Sequence, residues 1–395
     1  MKHWKTYLEK QKPEYIRKIF PEECYADMVV VIPCHNEPDL FETLDSLFEC
    51  IRPEAGVLIA IIFNSGVNSD EKVVLQNRVS YEQTLLYAEK HNVPELSFFP
   101  LLFEGLPRKH AGVGLARKIG MDIAVRHFLQ NKKNRGVIVS LDADCTVSAN
   151  FMIDIYKAFS RDNRLNATVH QFYHRVENHN PAIENAVRQY ENYIRYFREM
   201  MKFTGFPYYY HTIGSAFAVS ADAYVRVGGM GRQQGGEDFY FLQKVFALGK
   251  VDELEGTYVY PMARFSERVP FGTGPALRKI LDEPDGVLKV YSIAAFRELK
   301  KLFVLKDSLF KKNDSAILSM MSGVHPSLMQ FLQEMDFQGV IRDCNANSAS
   351  LATFRKRFFH HFNAFKIIKY LNYVHPDPFP FDTSISDIHK TFSND

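Results

Sequence analysis

Strand-length apolar runs that alternate with helical segments constrain this chain more than any other feature of its sequence. Apolar residues fill the runs 28–32, 57–63, 96–102 and 137–141, and residues at helical spacing separate each run from the next. Strands that are apolar along their whole length are typical of a parallel sheet covered by helices on both faces. The sequence therefore predicts an α/β fold with a mostly parallel, Rossmann-like sheet.

The distribution of these patterns divides the chain into three predicted regions. Residues 1–26 are polar with scattered aromatic side chains, and we expect a helical extension that packs on the neighbouring domain. Residues 27–275 carry the strands, the glycine-containing loops and two acid pairs, and predict one functional domain. Residues 276–395 have no glycine-rich loop and predict a helical accessory region.

Charge and cysteine usage exclude several classes of protein. A net charge of +2 gives no general electrostatic case for nucleic-acid binding. The 5 cysteines are scattered without CxxC spacing, which indicates a reduced cytosolic protein with neither disulfides nor a zinc site. No apolar run has the length of a membrane span, and the segment 1–20 has no signal-peptide core. These features predict a cytoplasmic protein.

Two carboxylates one residue apart, Asp142 and Asp144, follow the fourth apolar run. Ligands of open parallel sheets bind beyond the carboxyl ends of the strands, where two acids are costly unless a cation compensates them. Mg²⁺ and Mn²⁺ fit this position because they favour one or two carboxylates together with phosphate oxygens. Alternatively, the two acids only shape the turn and cap the next helix. This stretch alone leaves both interpretations open.

A second acid pair, Glu237-Asp238, follows the glycine-rich segment 228–236 and opens a predicted helix. Acids in a first helical turn commonly do no more than complement the helix dipole. In the functional interpretation, the helix terminus keeps Asp238 ionised and the glycine-rich segment leaves space for a substrate. A carboxylate held in this way can accept a proton from a hydroxyl nucleophile. The glycine-rich segment favours the functional interpretation.

Polar and basic residues occupy the loops that follow the first strands. Asn36 and Glu37 end the first strand and Asn64 ends the second, where their side chains can contact a base or a ribose. Turn formation explains Asn64 equally well. Farther along, Gly112 and Arg117 belong to a basic, glycine-containing segment that can neutralise a diphosphate, although solvated charge is the commoner fate of such residues.

Taken in order, these segments resemble family 2 glycosyltransferases of the GT-A fold. The resemblance covers residues 27–275, and the matching segments are Val29–Pro33 with Asn36-Glu37, Ala116–Gly120, Leu141–Asp144, Gly214–Val219 with Gly228-Gly229, and Glu237-Asp238. It implies an inverting transfer of a sugar from a nucleoside-diphosphate-sugar donor to an acceptor hydroxyl. It also implies a GT-A-type sheet with helices on both faces.

The resemblance also implies roles for individual residues. Asp142 and Asp144 would bind Mn²⁺ or Mg²⁺ and the diphosphate, and Pro33 with the loop that follows it would contact the nucleotide. Asp238 would be the catalytic base, and Glu237 would orient the acceptor or support the base. The acceptor stays open between a glycan, a lipid-linked saccharide and a small molecule.

The sequence departs from the family pattern at three places. The second strand ends in Asn64-Ser65-Gly66, where the family usually has Asp-Asp-Gly-Ser, so a base-contacting Asp is absent. The Gln-x-x-Arg-Trp element of processive synthases is also absent, which favours transfer of a single sugar. No histidine lies in 260–280 to serve as a further metal ligand, and we expect Arg264 and Arg268 to help neutralise the leaving diphosphate.

Two other functions stay open, and so does the role of one C-terminal segment. A catalytically silent nucleotide-sugar- or glycan-binding protein, or a sugar-1-phosphate nucleotidyltransferase, would use a similar fold. Residues 351–373 predict one basic, aromatic helix. This helix either lies peripherally on the inner face of an anionic membrane or packs its phenylalanines against the catalytic domain.

Overall fold

A computed structural model describes residues 1–18, 20, 24–176, 180–233, 235–264 and 272–383. The chain forms two compact units. The first unit contains Met1–Asn180 and Thr212–Ala276, and the second contains Pro181–His211 and the residues from Leu277 onward. An internal segment of the chain therefore belongs to the same unit as the C-terminal region.

The first unit is built on a mixed sheet. Its strands are β1 (Met28–Cys34), β2 (Val57–Gly66), β3 (Leu96–Leu106), β4 (Val137–Ser140), β5 (Cys145–Val147), β6 (Ala167–Phe172), β7 (Phe217–Ser220) and β8 (Val251–Pro261). In the described residues they form an 8-stranded sheet in the order β3-β2-β1-β4-β7-β6-β8-β5. The pairs β1·β2, β2·β3, β1·β4 and β6·β8 are parallel, whereas β7 and β5 run antiparallel to their neighbours. The predicted mostly parallel α/β sheet is confirmed.

Helices cover this sheet on both faces. They are α1 (Lys2–Glu9), α2 (Pro13–Ile16), α3 (Leu40–Phe48), α4 (Glu71–His91), α5 (Val113–Gln130), α6 (Phe151–Arg161), α8 (Ala221–Arg226) and α9 (Glu237–Phe246). In β1, Met28, Val30 and Ile32 belong to the core cluster that contains the apolar residues of α3. Val31 points to the opposite face, where it lies against Gly120 of α5. Because both faces are covered, every residue of β1 is buried.

The order of the strands brings two loops together at one edge of the sheet. From β1 the chain proceeds outward to β2 and β3, then returns through α5 to β4 on the other side of β1. The carboxyl ends of β1 and β4 therefore form a topological switch point, the usual ligand position in open α/β sheets. The loop 35–39 follows β1 there, and the loop 141–144 follows β4.

The second unit is built of helices in its described part. They are α7 (Pro181–Phe203), α11 (Ile293–Leu305), α12 (Asp314–Met320), α13 (Pro326–Glu334), α14 (Phe337–Ala346), α15 (Leu351–His361) and α16 (Ala364–Tyr373), and α10 (Thr273–Asp282) begins in the first unit and ends in the second. The predicted helical C-terminal region is confirmed. None of the helices in the described ranges combines the length and apolar character that a membrane span requires.

The segment 351–373 forms two helices, so the prediction of one helix is wrong. Asn363 separates α15 from α16, because its side chain accepts a hydrogen bond from the backbone N–H of Lys366 at 3.1 Å and caps α16. Phe354, Phe358 and Phe362 are at most 1% exposed and pack inside the second unit. These three phenylalanines are therefore part of the core of that unit and are not a face that a membrane could cover, whereas Phe365 of α16 is 41% exposed.

Candidate functional site

Arg264 gathers three carboxylates at the switch point of the sheet. Its Nη2 lies 2.6 Å from Oε1 of Glu37, 3.2 Å from Oδ2 of Asp39 and 3.7 Å from Oδ2 of Asp144. The backbone N–H of Met262, at the end of β8, donates to the carbonyl oxygen of Asp144 at 3.2 Å and brings Arg264 into reach. We call these four ionised side chains the Arg264 cluster. It joins the loops after β1 and β4 to the chain that follows β8.

Arg117 of α5 gathers the other predicted acids. Its Nη2 donates to Oδ1 of Asp142 at 2.6 Å, and its Nη1 donates to Oε1 of Glu237. Arg117 is 2% exposed and Glu237 is 3% exposed. A buried guanidinium thus connects the first acid of the Asp-x-Asp pair to the first turn of α9.

Asp238 lies beside this ion pair. Its Oδ1 accepts a hydrogen bond from the backbone N–H of Phe239 at 2.7 Å. A Cβ built on Gly214 would lie 2.8 Å from Oδ2 of Asp238 and 3.1 Å from Nη2 of Arg117. The absence of a side chain at Gly214 therefore leaves room for both charged groups. We call Arg117, Asp142, Glu237 and Asp238 the Arg117 cluster.

The environment of Asp238 gives its carboxyl group an unusual proton affinity. Burial, and secondly the charge of Glu237, raise the pKa of Asp238 to about 6, although Arg117 acts in the opposite direction. The helix terminus was predicted to keep this group ionised, but here burial outweighs the hydrogen bond from the helix. The group is still mostly ionised at neutral pH, and its raised pKa makes it a stronger base than an ordinary carboxylate.

Negative charge exceeds positive charge in the two clusters together. Six carboxylates surround two guanidiniums. Burial, and then the charges of Asp142 and Glu37, raise the pKa of Asp144 to about 6, although Arg264 opposes the shift. The side chains of Asp142 and Asp144 are 38% and 30% exposed, so their oxygens are accessible. Accessible hard oxygen ligands with excess negative charge fit a divalent cation.

A polar network shapes the loops at the ends of β1 and β2. The backbone N–H of Asn36 donates to Oδ1 of Asn77 at 2.8 Å, and Nδ2 of Asn77 donates to the carbonyl oxygen of Asn64 at 2.9 Å. The side chain of Asn64 is buried, and its Oδ1 has no hydrogen-bond partner within the described ranges. Pro33 is buried within β1. Of this predicted group, Glu37 is the member that joins the ion clusters.

The glycine-containing segment before α5 allows the start of that helix to lie close to the start of α9. Gly112 is the N-cap residue of α5, and Gly114 in the first turn lies directly against the backbone of Gln233 and the side chain of Glu237. The close approach brings the start of α5 to the segment that precedes α9. The remaining predicted site residue, Arg268, lies outside the described residues.

Sequence reasoning missed two residues of the site. Asp39 accepts from Arg264, and Asn77 ties together the loops after β1 and β2. Asn77, Ser80 and Thr84 are buried polar residues of α4 at helical spacing. A polar stripe on the covered face of a helix was the signal that could have identified Asn77.

A second group of metal-ligand types lies in the second unit. Asp343, Cys344 and His361 offer ligand atoms that all lie within 4.8 Å of one another. Burial raises the pKa of the Cys344 thiol to about 11, which disfavours the thiolate that a metal requires.

The chain matches no family model and no curated protein. Among solved structures it is similar to residues 1–349 of S. aureus TarS, with 13% sequence identity, a TM-score of 0.41, and coverage of 85% of this chain and 91% of that chain. It is also similar to the same fragment in complex with UDP-GlcNAc, with 12% sequence identity, a TM-score of 0.38, and coverage of 88% of this chain and 90% of that chain. A third similar structure is the mannosyltransferase PcManGT from Pyrobaculum calidifontis in complex with GDP-Man and Mn²⁺. It has 16% sequence identity, a TM-score of 0.37, and coverage of 91% of this chain and 92% of that chain. These three TM-scores are below 0.5, so the similarities do not establish the function of this chain.

Proposed function

We propose that residues 27–275, apart from the segment Pro181–His211 that belongs to the second unit, form a GT-A-type glycosyltransferase domain. It transfers one sugar from a nucleoside-diphosphate-sugar donor to an acceptor hydroxyl, with inversion and without processive elongation. The observation that carries this proposal is the position of Arg117, which pairs with both Asp142 and Glu237. This pairing supports a site in which the diphosphate ligands and the catalytic base are neighbours.

The donor side of the proposed site consists of Asp142, Asp144 and the loop after β1. The carboxylates of Asp142 and Asp144 would hold Mg²⁺ or Mn²⁺. When bound, such an ion supplies positive charge to the diphosphate and stabilises it as a leaving group. Arg264 lies within 3.7 Å of Asp144 and adds a second positive charge on this side. Glu37 and Asn36 belong to the loop that we expect to contact the nucleotide.

The acceptor side of the proposed site is centred on Asp238. The acceptor oxygen forms a bond to the anomeric carbon while the bond from that carbon to the diphosphate oxygen breaks. The acceptor proton passes to the Asp238 carboxylate, whose raised pKa suits this role. Glu237 is too deeply buried to orient an acceptor by direct contact, which favours the supporting role. It anchors Arg117, which in turn faces Asp238.

Donor binding tests the proposal directly. We expect calorimetry with UDP-, GDP- and dTDP-sugars to detect one donor whose binding requires Mn²⁺ and is lost in Asp144→Ala. Asp252→Ala is the matched control, because this exposed acid of β8 lies outside both clusters. Binding that is equally strong in Asp144→Ala would contradict the donor-side assignment. Tight donor binding without turnover would favour a silent binding protein instead.

A further inference from the structure

A cavity between α1 and α8 contains more positive than negative charge. Its volume is about 1070 Å³, and its lining includes Lys2, His3, Lys10, Asp222 and Arg226. This volume slightly exceeds the usual range of small-molecule sites, about 300–1,000 Å³. All of these residues belong to the first unit, and none of them has a role in the proposed transfer.

The charges that line the cavity are unevenly matched. Asp222, the acid of the lining, is already paired with Nε2 of His3 at 2.8 Å and with Nη1 of Arg226 at 3.7 Å. Lys2 and Lys10 are exposed, and neither forms an ion pair within the described part of the chain. Three permanent cations therefore face a single carboxylate. Unpaired ammonium groups beside a guanidinium favour a ligand with several anionic groups.

The floor of the cavity connects to the segment that precedes the catalytic acids. Tyr7 lines the cavity and donates a hydrogen bond to Oδ1 of the buried Asp122 at 2.6 Å. Its hydroxyl also lies directly against Gly229, where a side chain would collide with it. Gly228, which also lines the cavity, and Gly229 begin the segment that leads to Glu237. A ligand in the cavity would therefore contact the start of that segment.

We propose that this cavity binds a ligand with two or more phosphate or carboxylate groups, at a site separate from the sugar-transfer site. Lys2, Lys10 and Arg226 hold the anionic groups. The ligand is either a free phosphorylated compound or the headgroups of an anionic lipid surface, since both present the same chemistry. This inference does not depend on the proposed transferase activity.

Trp4 provides a fluorescent probe with which this proposal can be tested. Trp4 is the one tryptophan of the sequence, and its indole N–H donates to Oδ1 of Asp222 at 3.3 Å. Because Asp222 lines the cavity, a bound anion that attracts Arg226 or His3 changes the electrostatic environment of the indole. Tryptophan fluorescence therefore reports on the cavity through the contact between Trp4 and Asp222.

The experiment is a titration of Trp4 fluorescence with sodium tripolyphosphate at constant ionic strength. It is performed on Asp144→Ala, which removes the donor site, so its outcome is independent of donor binding. We expect a saturable change in emission that gives an apparent affinity for tripolyphosphate. This affinity should fall at least about ten-fold in the double variant Lys10→Gln/Arg226→Gln, because the loss of one charge-assisted hydrogen bond already weakens binding by about that factor. Lys5→Gln, an exposed position of α1 outside the cavity lining, should match its parent.

Co-sedimentation with phosphatidylglycerol vesicles distinguishes the two sources of anion. Binding to vesicles that the double variant loses supports the site and identifies a lipid surface as its source. A response to tripolyphosphate alone supports a free phosphorylated ligand. The inference is overturned if neither probe produces a saturable response, or if the double variant responds as strongly as its parent while thermal melting shows that both are folded.

Discussion

Replacing Arg117 by Gln should destabilise the first unit strongly, and the loss should depend on pH. The Arg117 guanidinium is 2% exposed and pairs with Asp142 and with the buried Glu237. Removal of one partner from a buried ion pair typically costs about 3–5 kcal/mol, because the remaining charges stay buried without compensation. Total stabilities are about 5–15 kcal/mol, so the variant should still fold but with a much reduced free energy of unfolding.

The pH dependence follows from the carboxylates that remain. Arg117 lowers the pKa of Asp238, so its removal raises that pKa above the present value of about 6. Uncompensated carboxylates take up protons as the pH falls, and protonation removes the repulsion between them. The difference in stability between wild type and Arg117→Gln should therefore be largest near pH 8 and smaller near pH 5.5.

Urea denaturation followed by Trp4 fluorescence measures this difference, because Trp4 lies in the first unit. Arg78→Gln is the control, since Arg78 forms an exposed pair with Glu104 and its side chain is 58% exposed. Exposed pairs contribute about 0–1 kcal/mol. A loss in Arg117→Gln no larger than that in Arg78→Gln at both pH values would refute the role of Arg117 as the buried cation of the site.

Four further predictions concern catalysis. Asp238→Asn should abolish transfer while calorimetry shows donor affinity within about two-fold of wild type, and wild-type turnover would remove Asp238 from the role of base. Turnover of the wild type should fall about ten-fold per pH unit below about pH 6, because protonation of Asp238 removes the base, and a flat profile from pH 5 to 7 would contradict this. Gly214→Ala should lower turnover at least about ten-fold and also reduce stability, because the new methyl group would lie 2.8 Å from Oδ2 of Asp238 and 3.1 Å from Nη2 of the buried Arg117. Gly256→Ala, which has open space around it, should change neither turnover nor stability. Treatment with EDTA should abolish transfer and added Mn²⁺ should restore it, so full activity after complete chelation would refute the metal requirement.

Elements with a single strong pattern could be predicted from the sequence. The segment Ala167–Phe172 reads as a strand and 181–203 as a long helix, and the structure has β6 and α7 with these bounds. Predictions failed where two local signals compete. Ser69 is a suitable N-cap residue and its position in the sequence predicts that it caps α4, but Asp70 caps this helix and accepts from the backbone N–H of Lys72 at 2.8 Å. The hydroxyl of Ser69 instead accepts from the backbone N–H of Gly66 at 2.8 Å and closes the turn after β2.

The acids of the candidate site could be predicted, but their partners could not. Asp142 follows the end of a predicted strand, and Glu237 opens a predicted helix. Both positions are recognisable from the local sequence. Their common partner Arg117 lies on a third element, and nothing local in the sequence distinguishes a buried arginine from a solvated one. Only the fold, which brings α5 between the loop after β4 and the start of α9, determines which charges meet.

The most direct measurement is ³¹P NMR, recorded after the metal has been removed with EDTA, of reactions that contain the wild-type protein, Mn²⁺ and each nucleoside-diphosphate sugar in turn. Transfer to an acceptor, or to water in its absence, should release the nucleoside diphosphate from one donor, and the release should be lost in Asp144→Ala and in Asp238→Asn. Asp252→Asn should release it at the wild-type rate. Cleavage within the diphosphate would indicate nucleotidyl transfer instead. Absence of release from every donor, by a folded protein that binds one of them, would contradict glycosyl transfer and indicate a silent binding protein.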